Sequence, residues 1–249
     1  MLRRYRADLH IHSCLSPCGS EEMRPQAVVD RALEVGLDMI AICDHNSAEN
    51  LLAFIEVGQK HGMAVLPGME VTSREEIHLL TLLNRPEDCL LLQDWIYHHL
   101  PGENDPELFG PQILVDETSE AIGLTEKMLI GATLLSFEEI ARFVKGLDGV
   151  TIASHIDRQA FSVIGQLGFI PEGAPLDGLE VSSRIPLEEA RHRFRIYRQY
   201  PFVTFSDAHR LDEIGRGSTL FLLGERTSAE IRMALHAEGG RKVLTHEEA

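Results

Sequence analysis

The stretch DLHIHS (residues 8–13) alternates polar and apolar side chains, as a half-buried β-strand does. Residues two apart in a strand point to the same face, so Asp8, His10 and His12 share one side while Leu9 and Ile11 face a core. Two neighbouring imidazoles repel each other when both are protonated, and a shared cation removes that repulsion. An apolar strand with two exposed histidines would show the same pattern, so other ligands must decide between the two interpretations.

Short apolar strands alternate with amphipathic helices along most of the chain. Strands are predicted over residues 5–12, 38–43, 64–70, 77–83, 149–153, 178–181, 201–205 and 218–223. Helices are predicted over residues 25–35, 47–60, 136–146, 186–198 and 227–239. This alternation is typical of βαβ crossovers and a largely parallel sheet, and roughly seven core strands are compatible with an α/β barrel.

Residues 85–130 interrupt this alternation with four prolines and polar stretches. Helices are predicted over 88–99 and 118–130, and no strand is predicted there. We interpret the segment as an insertion or lid on a single domain spanning residues 1–249.

The composition narrows the class of protein. The 249 residues, 44% of them hydrophobic, suit one large α/β domain, and the four cysteines are too few for a disulfide framework. The sequence contains no apolar run that could cross a bilayer and no signal peptide, so a cytoplasmic location is expected and no membrane partner. A formal net charge of −16 argues against stable nucleic-acid binding, which needs a basic surface.

Residues that can bind metals follow the apolar strands at their ends. In parallel α/β folds the carboxyl ends of the strands form one rim, so these side chains are predicted to converge there. They are His10 and His12, His45 after Asp44, Glu70, His78, His155, and Asp207 with His209.

Mixed imidazole and carboxylate ligands suit Zn, Mn or Fe better than Ca or Mg. The candidates exceed the needs of one ion, which predicts two or three divalent ions, with Glu70 able to bridge two of them. Clustered divalent ions fit the hydrolysis of phosphate esters by a metal-activated water.

The ordered motifs DLHIHS, DHN, GMEV, SHID and SDAH resemble those of the PHP (polymerase and histidinol phosphatase) family, from Asp8 to about Gly217. The resemblance implies a distorted (β/α)7 barrel, a trinuclear metal centre at the carboxyl ends of the strands, and phosphoesterase or phosphatase activity.

The resemblance also implies an assignment of ligands. His10 and His12 would bind a first metal with Glu70 and Asp207; His78 and His155 would hold a second, bridged by Glu70; His45 and His209 would hold a third. Cys18 lies where the family usually offers Asp or His to the third metal. A thiolate there would suit zinc or iron and disfavour a manganese-only site.

Several further residues are candidates for the chemistry. Arg158 and Arg184 could grip substrate phosphate, since a guanidinium binds two phosphate oxygens at once; for Arg158 the alternative is a surface salt bridge with Asp157 or Glu172.

Other candidates act on the reaction or on the ligands. His209, Asp207 and Arg158 are the candidate catalytic residues. Asp8 and Asp44 are expected to orient ligands, although Asp44 could instead cap the helix that follows it. The remaining histidines are expected to be solvated, and they are His61, His98, His99, His192, His236 and His246.

The leading hypothesis is a metal-dependent hydrolase acting on a small phosphomonoester or nucleotide. The alternatives are a nuclease acting on single-stranded or short oligonucleotides and a non-catalytic metal-binding regulatory protein. The sequence leaves the substrate, the native metal and the oligomeric state open.

Overall fold

A computed structural model describes residues 1–245, which form a curved sheet flanked by helices. The strands are β1 (Arg3–Ile11), β2 (Met39–Ile42), β3 (Ala64–Thr72), β4 (His78–Leu82), β5 (Ile113–Val115), β6 (Ala121–Leu124), β7 (Val150–Ala153), β8 (Gly178–Ser182), β9 (Phe202–Phe205), β10 (Thr219–Leu223) and β11 (Lys242–Val243). The helices are α1 (Pro25–Glu34), α2 (Leu51–His61), α3 (Pro86–His99), α4 (Pro106–Phe109), α5 (Phe137–Gly146), α6 (Val163–Leu167), α7 (Leu187–Arg193) and α8 (Ser228–Leu235).

The main sheet has the strand order β11-β10-β1-β2-β3-β4-β7-β8-β9. The pairs β1–β2, β2–β3, β7–β8 and β8–β9 are parallel, as the βαβ pattern predicts. Strand β4 runs antiparallel to both neighbours, β3 and β7, because only the short segment from Ser73 to Ile77 joins it to β3 and leaves no room for a crossover helix.

The segment just beyond β9 meets the end of β1, which gives the sheet its barrel shape. The Ala208 amide donates to the His10 carbonyl at 3.3 Å, and the His12 amide donates to the Ala208 carbonyl at 2.9 Å. Seven strands, β1–β4 and β7–β9, therefore form an almost closed barrel. Strands β10 and β11 extend the sheet outside it: β10 pairs antiparallel with β1, and β11 pairs antiparallel with β10. The predicted α/β barrel fold is confirmed.

The insertion contains a β-hairpin, so the predicted helix over 118–130 is wrong, as is the prediction that the insertion lacks strands. Strands β5 and β6 pair across a turn in which the Asp116 carboxylate accepts from the Thr118 and Glu120 amides at 2.9 and 3.0 Å. Short polar side chains that bind nearby amides favour turns over helix interiors. That the whole chain is one domain stays a prediction.

Three helices, α2, α7 and α8, are shorter than their sequence pattern predicts, and α8 ends at Leu235 instead of residue 239. Helix α2 begins at Leu51 because the Asn50 side chain binds the hairpin, accepting from the Val115 amide at 3.0 Å and donating to the Ile113 carbonyl at 3.0 Å. Helix α7 ends at Arg193, and a single 3₁₀ turn over Arg195–Tyr197 leads towards β9.

No helix within residues 1–245 is both long and apolar enough to span a membrane.

The barrel is filled by apolar side chains of its own strands, among them Leu9, Leu80 and Phe205, all fully buried in one cluster. We expect Leu9→Ala to lower the free energy of unfolding by about 2–5 kcal/mol, because it removes buried methyl groups and leaves a cavity. Leu52→Ala, on the exposed side of α2, is the matched control, since Leu52 is 52% exposed. Urea unfolding of both variants checks this, and equal losses would contradict the assignment of Leu9 to the core.

Candidate metal centre

The carboxylate of Glu70, 1% exposed near the end of β3, lies at the centre of the site. The nearest imidazole nitrogens lie 3.2–3.5 Å from its two oxygens and belong to His10, His12, His45, His78 and His155. Each of these histidines comes from a different part of the barrel rim, apart from His10 and His12 on and just after β1. The structure therefore brings these residues together at one rim of the barrel, as predicted, and places them around a single carboxylate.

Asp207, which follows β9, is the second carboxylate of the cluster. Its Oδ1 lies 3.4 Å from His10 Nε2 and 3.2 Å from His12 Nε2, and 3.7 Å from His209 Nδ1. The ring of His209 stacks on that of His12 with centroids 4.1 Å apart.

Three overlapping groups of ligand atoms could each hold a metal ion, with all atoms of a group within 4.8 Å of one another. They are His10, His12, Glu70 and Asp207; His45, Glu70 and His78; and His12, His45 and His209. The first group matches the predicted first metal. In the second, His45 takes the place predicted for His155, and in the third, His12 joins His45 and His209.

The residues fit a metal centre because buried polar atoms within residues 1–245 remain without a hydrogen bond. Four of these atoms belong to the cluster, and they are Glu70 Oε1 and the Nδ1 atoms of His45, His78 and His155. Glu70 Oε1 lies close to three imidazole nitrogens without a well-aligned hydrogen bond to any of them. Unpaired buried polar atoms are costly, and a divalent cation would satisfy these lone pairs together.

The two histidines of the opening motif carry raised pKa values. Burial opposes protonation of His10, but the charges of Glu180, Glu70 and Asp207 outweigh it and hold the pKa well above the usual range. Burial also opposes protonation of His12, and hydrogen bonds to Asp207 and Glu70 raise its pKa to about 9. Without a cation, protons on these rings balance the carboxylates.

The pKa values of the other groups move in the opposite sense. Burial and the charge of His12 lower the pKa of His45 well below its usual range and that of His209 to about 4. Although burial opposes ionisation, the surrounding histidines hold the pKa values of Glu70 and Asp207 well below normal. At neutral pH both carboxylates are therefore ionised, and the rings of His45 and His209 are neutral and able to bind a metal.

Glu180, in the middle of β8, is a site residue that the sequence analysis missed. Its fully buried carboxylate accepts from His10 Nδ1 at 2.9 and 3.1 Å, which leaves His10 Nε2 facing Glu70 and Asp207. It also accepts from the His155 amide at 3.3 Å. A carboxylate on the far nitrogen fixes the tautomer and the orientation of a metal-binding imidazole. The only sequence signal was a lone Glu within an apolar strand.

Asp44 orients the ligands through Ser16, another residue that the sequence analysis missed. Asp44 accepts from the Ser16 hydroxyl at 2.7 Å, and Ser16 Oγ lies 3.0 Å from His12 Nδ1. Asp44 also accepts from the amide and hydroxyl of Ser13 at 2.7 and 2.6 Å. The alternative role as a helix cap does not apply, because α2 begins at Leu51.

Asp8 positions the segments that follow β9 and precede β10, and it does not contact the metal-binding cluster directly. Its carboxylate accepts from the Ser206 amide at 3.0 Å and the Gly215 amide at 2.9 Å. Burial raises the pKa of Asp8 to about 6.

Three residues beside the cluster have positive φ angles although they are not glycine: Asn46 (53°), His155 (31°) and Asp207 (51°). Each follows a parallel barrel strand by a few residues. Such conformations cost free energy and concentrate at functional sites. Here they turn the chain sharply after the strand, so that His155 and Asp207 face the cluster.

Cys18 lines a cavity that opens above the cluster, but it belongs to none of the three ligand groups formed by the described residues. Partial desolvation of its sulfur, together with the charge of Glu70, raises its pKa to about 12. The thiol is therefore protonated in this arrangement, and its role as a ligand stays a prediction.

Arg158 and Arg184 both line the cavity of about 700 Å³ above the cluster. Arg158 Nη1 lies 2.7 Å from Asp207 Oδ2, so its ion pair is with neither Asp157 nor Glu172. Arg184 is exposed at the cavity wall. The other histidines lie outside the cluster at exposed or half-buried positions, except His246, which falls beyond the described residues.

Two family models match this chain. The PHP domain matches residues 8–93, which include five of the clustered ligands, and the PHP-associated region matches residues 191–238, which include Asp207 and His209. The chain is a PHP-domain protein. The family predicted from the ordered motifs is thereby confirmed. The PHP family consists of metal-dependent hydrolases, which agrees with the prediction of an enzyme.

Three known proteins illustrate the similarity. Phosphoribosyl 1,2-cyclic phosphate 1,2-diphosphodiesterase of Eggerthella lenta is 31% identical over 80 residues, 30% of this chain and 29% of that protein. The lesion-specific endonuclease PfuEndoQ from Pyrococcus furiosus has a TM-score of 0.75 at 20% identity, covering 97% of this chain and 58% of that one.

A proposed metal-dependent phosphoesterase from Bifidobacterium adolescentis has a TM-score of 0.57 at 22% identity, covering 91% of this chain and 93% of that one. At these identities the two structures establish the shared fold. The PHP-domain chain described here spans less than two thirds of the length of the first two proteins.

We expect Glu180→Gln to weaken binding of Mn²⁺ or Zn²⁺ roughly 10- to 100-fold, because His10 loses the carboxylate that orients it. Glu189→Gln, exposed on α7, is the matched control. Calorimetric titration of metal-stripped protein measures both affinities. Unchanged binding by the Glu180 variant would show that Glu180 has no part in holding the metal.

Metal affinity is expected to rise with pH between 7 and 9. Below its pKa of about 9, His12 carries a proton that a metal must displace. Each unit by which the pH falls below this value therefore lowers the metal affinity by up to roughly tenfold on account of His12. His209, with a pKa of about 4, contributes no such dependence in this range. Calorimetry in buffers of different ionisation enthalpy counts the protons released, and binding at pH 7 without proton release would refute this assignment.

Proposed function

We propose that this chain is a metal-dependent phosphoesterase. The observation that carries the proposal is the set of three overlapping ligand groups sharing Glu70, His12 and His45, buried at the base of a cavity of about 700 Å³. A set that large exceeds the needs of a structural ion, and its opening to a cavity leaves room for a substrate.

Two or three divalent ions, Zn, Mn or Fe, would be held by the nine predicted ligands. These are His10, His12, Cys18, His45, Glu70, His78, His155, Asp207 and His209. The bound ions would supply an activated water and neutralise charge on the phosphate. A trinuclear centre remains part of this proposal, as does a cytoplasmic location.

Side chains of this protein would bind and orient the phosphate ester above the ions. Arg158 and Arg184 lie on the cavity wall, where guanidinium groups can each bind two phosphate oxygens. His209 is 23% exposed and neutral at pH 7, so it can accept or deliver a proton at the cavity. Asp207 faces His10 and His12 with one oxygen and Arg158 with the other. It would thereby fix the position of Arg158 relative to the metal-binding histidines.

The proposed substrate is a small phosphomonoester or a nucleotide. The curated relative from Eggerthella lenta acts, by its name, on a phosphoribosyl cyclic phosphate. The cavity is large enough for a ligand of that size.

A nuclease is the second candidate, supported by the fold shared with a lesion-specific endonuclease over 97% of this chain. That similarity gives no support to the expectation, drawn from the net charge of −16, that stable nucleic-acid binding is absent. A purely regulatory role is less well supported, because nearly all the predicted ligands are present and eight of the nine lie around one cluster beside the cavity.

Removal of metal tests the proposal. We expect chelation to abolish hydrolysis of a phosphomonoester and phosphodiester panel, and Mn²⁺, Zn²⁺ or Fe²⁺ to restore it, because the ions supply the activated water. His155→Ala should lower kcat by roughly 100-fold or more, whereas the exposed control His192→Ala should match the unchanged protein. Equal hydrolysis by stripped and reloaded protein would end the proposal.

A further inference from the structure

The cavity above the cluster is lined by two kinds of side chain. Charged and metal-binding groups line it together with the apolar residues Phe161, Ile130 and Ile185. Arg158 and Arg184 also line the cavity. A phosphate alone needs the metal-binding groups and the arginines but not the apolar side chains.

Phe161 is held in place by its surroundings. Its ring stacks on that of His78 with centroids 4.7 Å apart and an interplanar angle of 22°. Its carbonyl accepts from the His78 amide at 2.9 Å. Its φ of 59° is a strained conformation for an aromatic residue, and such strain persists only where the surrounding contacts impose it.

One side of this fixed ring remains open. Phe161 is 42% exposed although it borders the cavity, while the ring of His78 covers its other face. An apolar ring that stays exposed to water does not contribute the favourable free energy of burial. A flat ligand that covered the ring would gain that free energy on binding. A rigid, half-covered ring is also preorganised, so little entropy is lost when a ligand stacks on it.

We propose that Phe161 determines specificity by stacking on the base of a nucleoside phosphate ester whose phosphate lies over the metal cluster. This inference rests on the proposed phosphoesterase function and narrows its substrate class. The parallel stack with His78 favours a flat aromatic group over an aliphatic one, since the ring presents a planar face. Aromatic platforms of this kind bind bases with little preference among them.

Adenosine 5′-monophosphate and ribose 5-phosphate form a matched pair of probes, because both carry a 5′-phosphorylated ribose and only the first carries a base. Calorimetry with metal-loaded protein should show at least roughly tenfold tighter binding of adenosine 5′-monophosphate. Phe161→Ala and Phe161→Leu should each weaken that binding roughly tenfold and change ribose 5-phosphate binding by less than about twofold. Phe161→Trp should retain the preference.

Phe169→Ala is the control, since Phe169 is 57% exposed and lies outside the cavity. It should alter neither affinity. Equal binding of the two probes, or equal losses for both in the Phe161 variants, would overturn the inference.

Hydrolysis assays on the same two probes separate this inference from the proposed function. Turnover of ribose 5-phosphate without a preference for the base supports the phosphoesterase and removes the role of Phe161. Phe161-dependent binding of adenosine 5′-monophosphate, with no hydrolysis of any ester in the panel, supports the stacking site and removes the proposed reaction.

Discussion

The burial of Glu70 among five imidazoles is the constraint on which the site depends. A carboxylate that is 1% exposed must be neutralised by its neighbours, and five imidazole nitrogens lie within 3.5 Å of its oxygens. The histidines divide accordingly: His10 and His12 have raised pKa values, while those of His45 and His209 are lowered. A metal ion must displace the protons that His10 and His12 hold in its absence. Metal binding and protonation are therefore alternative ways to neutralise the carboxylates of Glu70 and Asp207.

The sheet, more than the loops, brings these residues to Glu70. A parallel bridge joins His45 to Glu70, and the Glu70 amide donates to the Asp44 carbonyl at 3.1 Å. His78 begins β4, yet it reaches the same rim because β4 is antiparallel and Thr72 lies opposite His78. The rule that ligands follow the carboxyl ends of strands therefore holds for the parallel strands, whereas the reversed strand contributes its first residue.

The sequence predicted the residues of the cluster better than the residues that support them. His10, His12, Glu70 and Asp207 stand in motifs with local spacing, and the structure gathers them into one group. Glu180 acts on His10 across 170 positions of sequence, and no short-range pattern can encode such a pair. The hairpin of the insertion was missed for a related reason: β6 is exposed throughout, so its alternation carries no contrast between a buried and a solvated face.

The ion pair between Arg158 and Asp207 joins the buried histidine cluster to the cavity wall. Asp207 presents Oδ1 to the imidazoles of His10 and His12 and Oδ2 to Arg158 at 2.7 Å, so one carboxylate contacts both the proposed metal ligands and the proposed phosphate-binding arginine. The guanidinium offsets part of the negative charge that Glu70 and Asp207 bring to the barrel rim. A substrate phosphate that draws Arg158 away would leave Asp207 more negative and a stronger ligand. Phosphate binding and metal binding would then reinforce each other through this single pair.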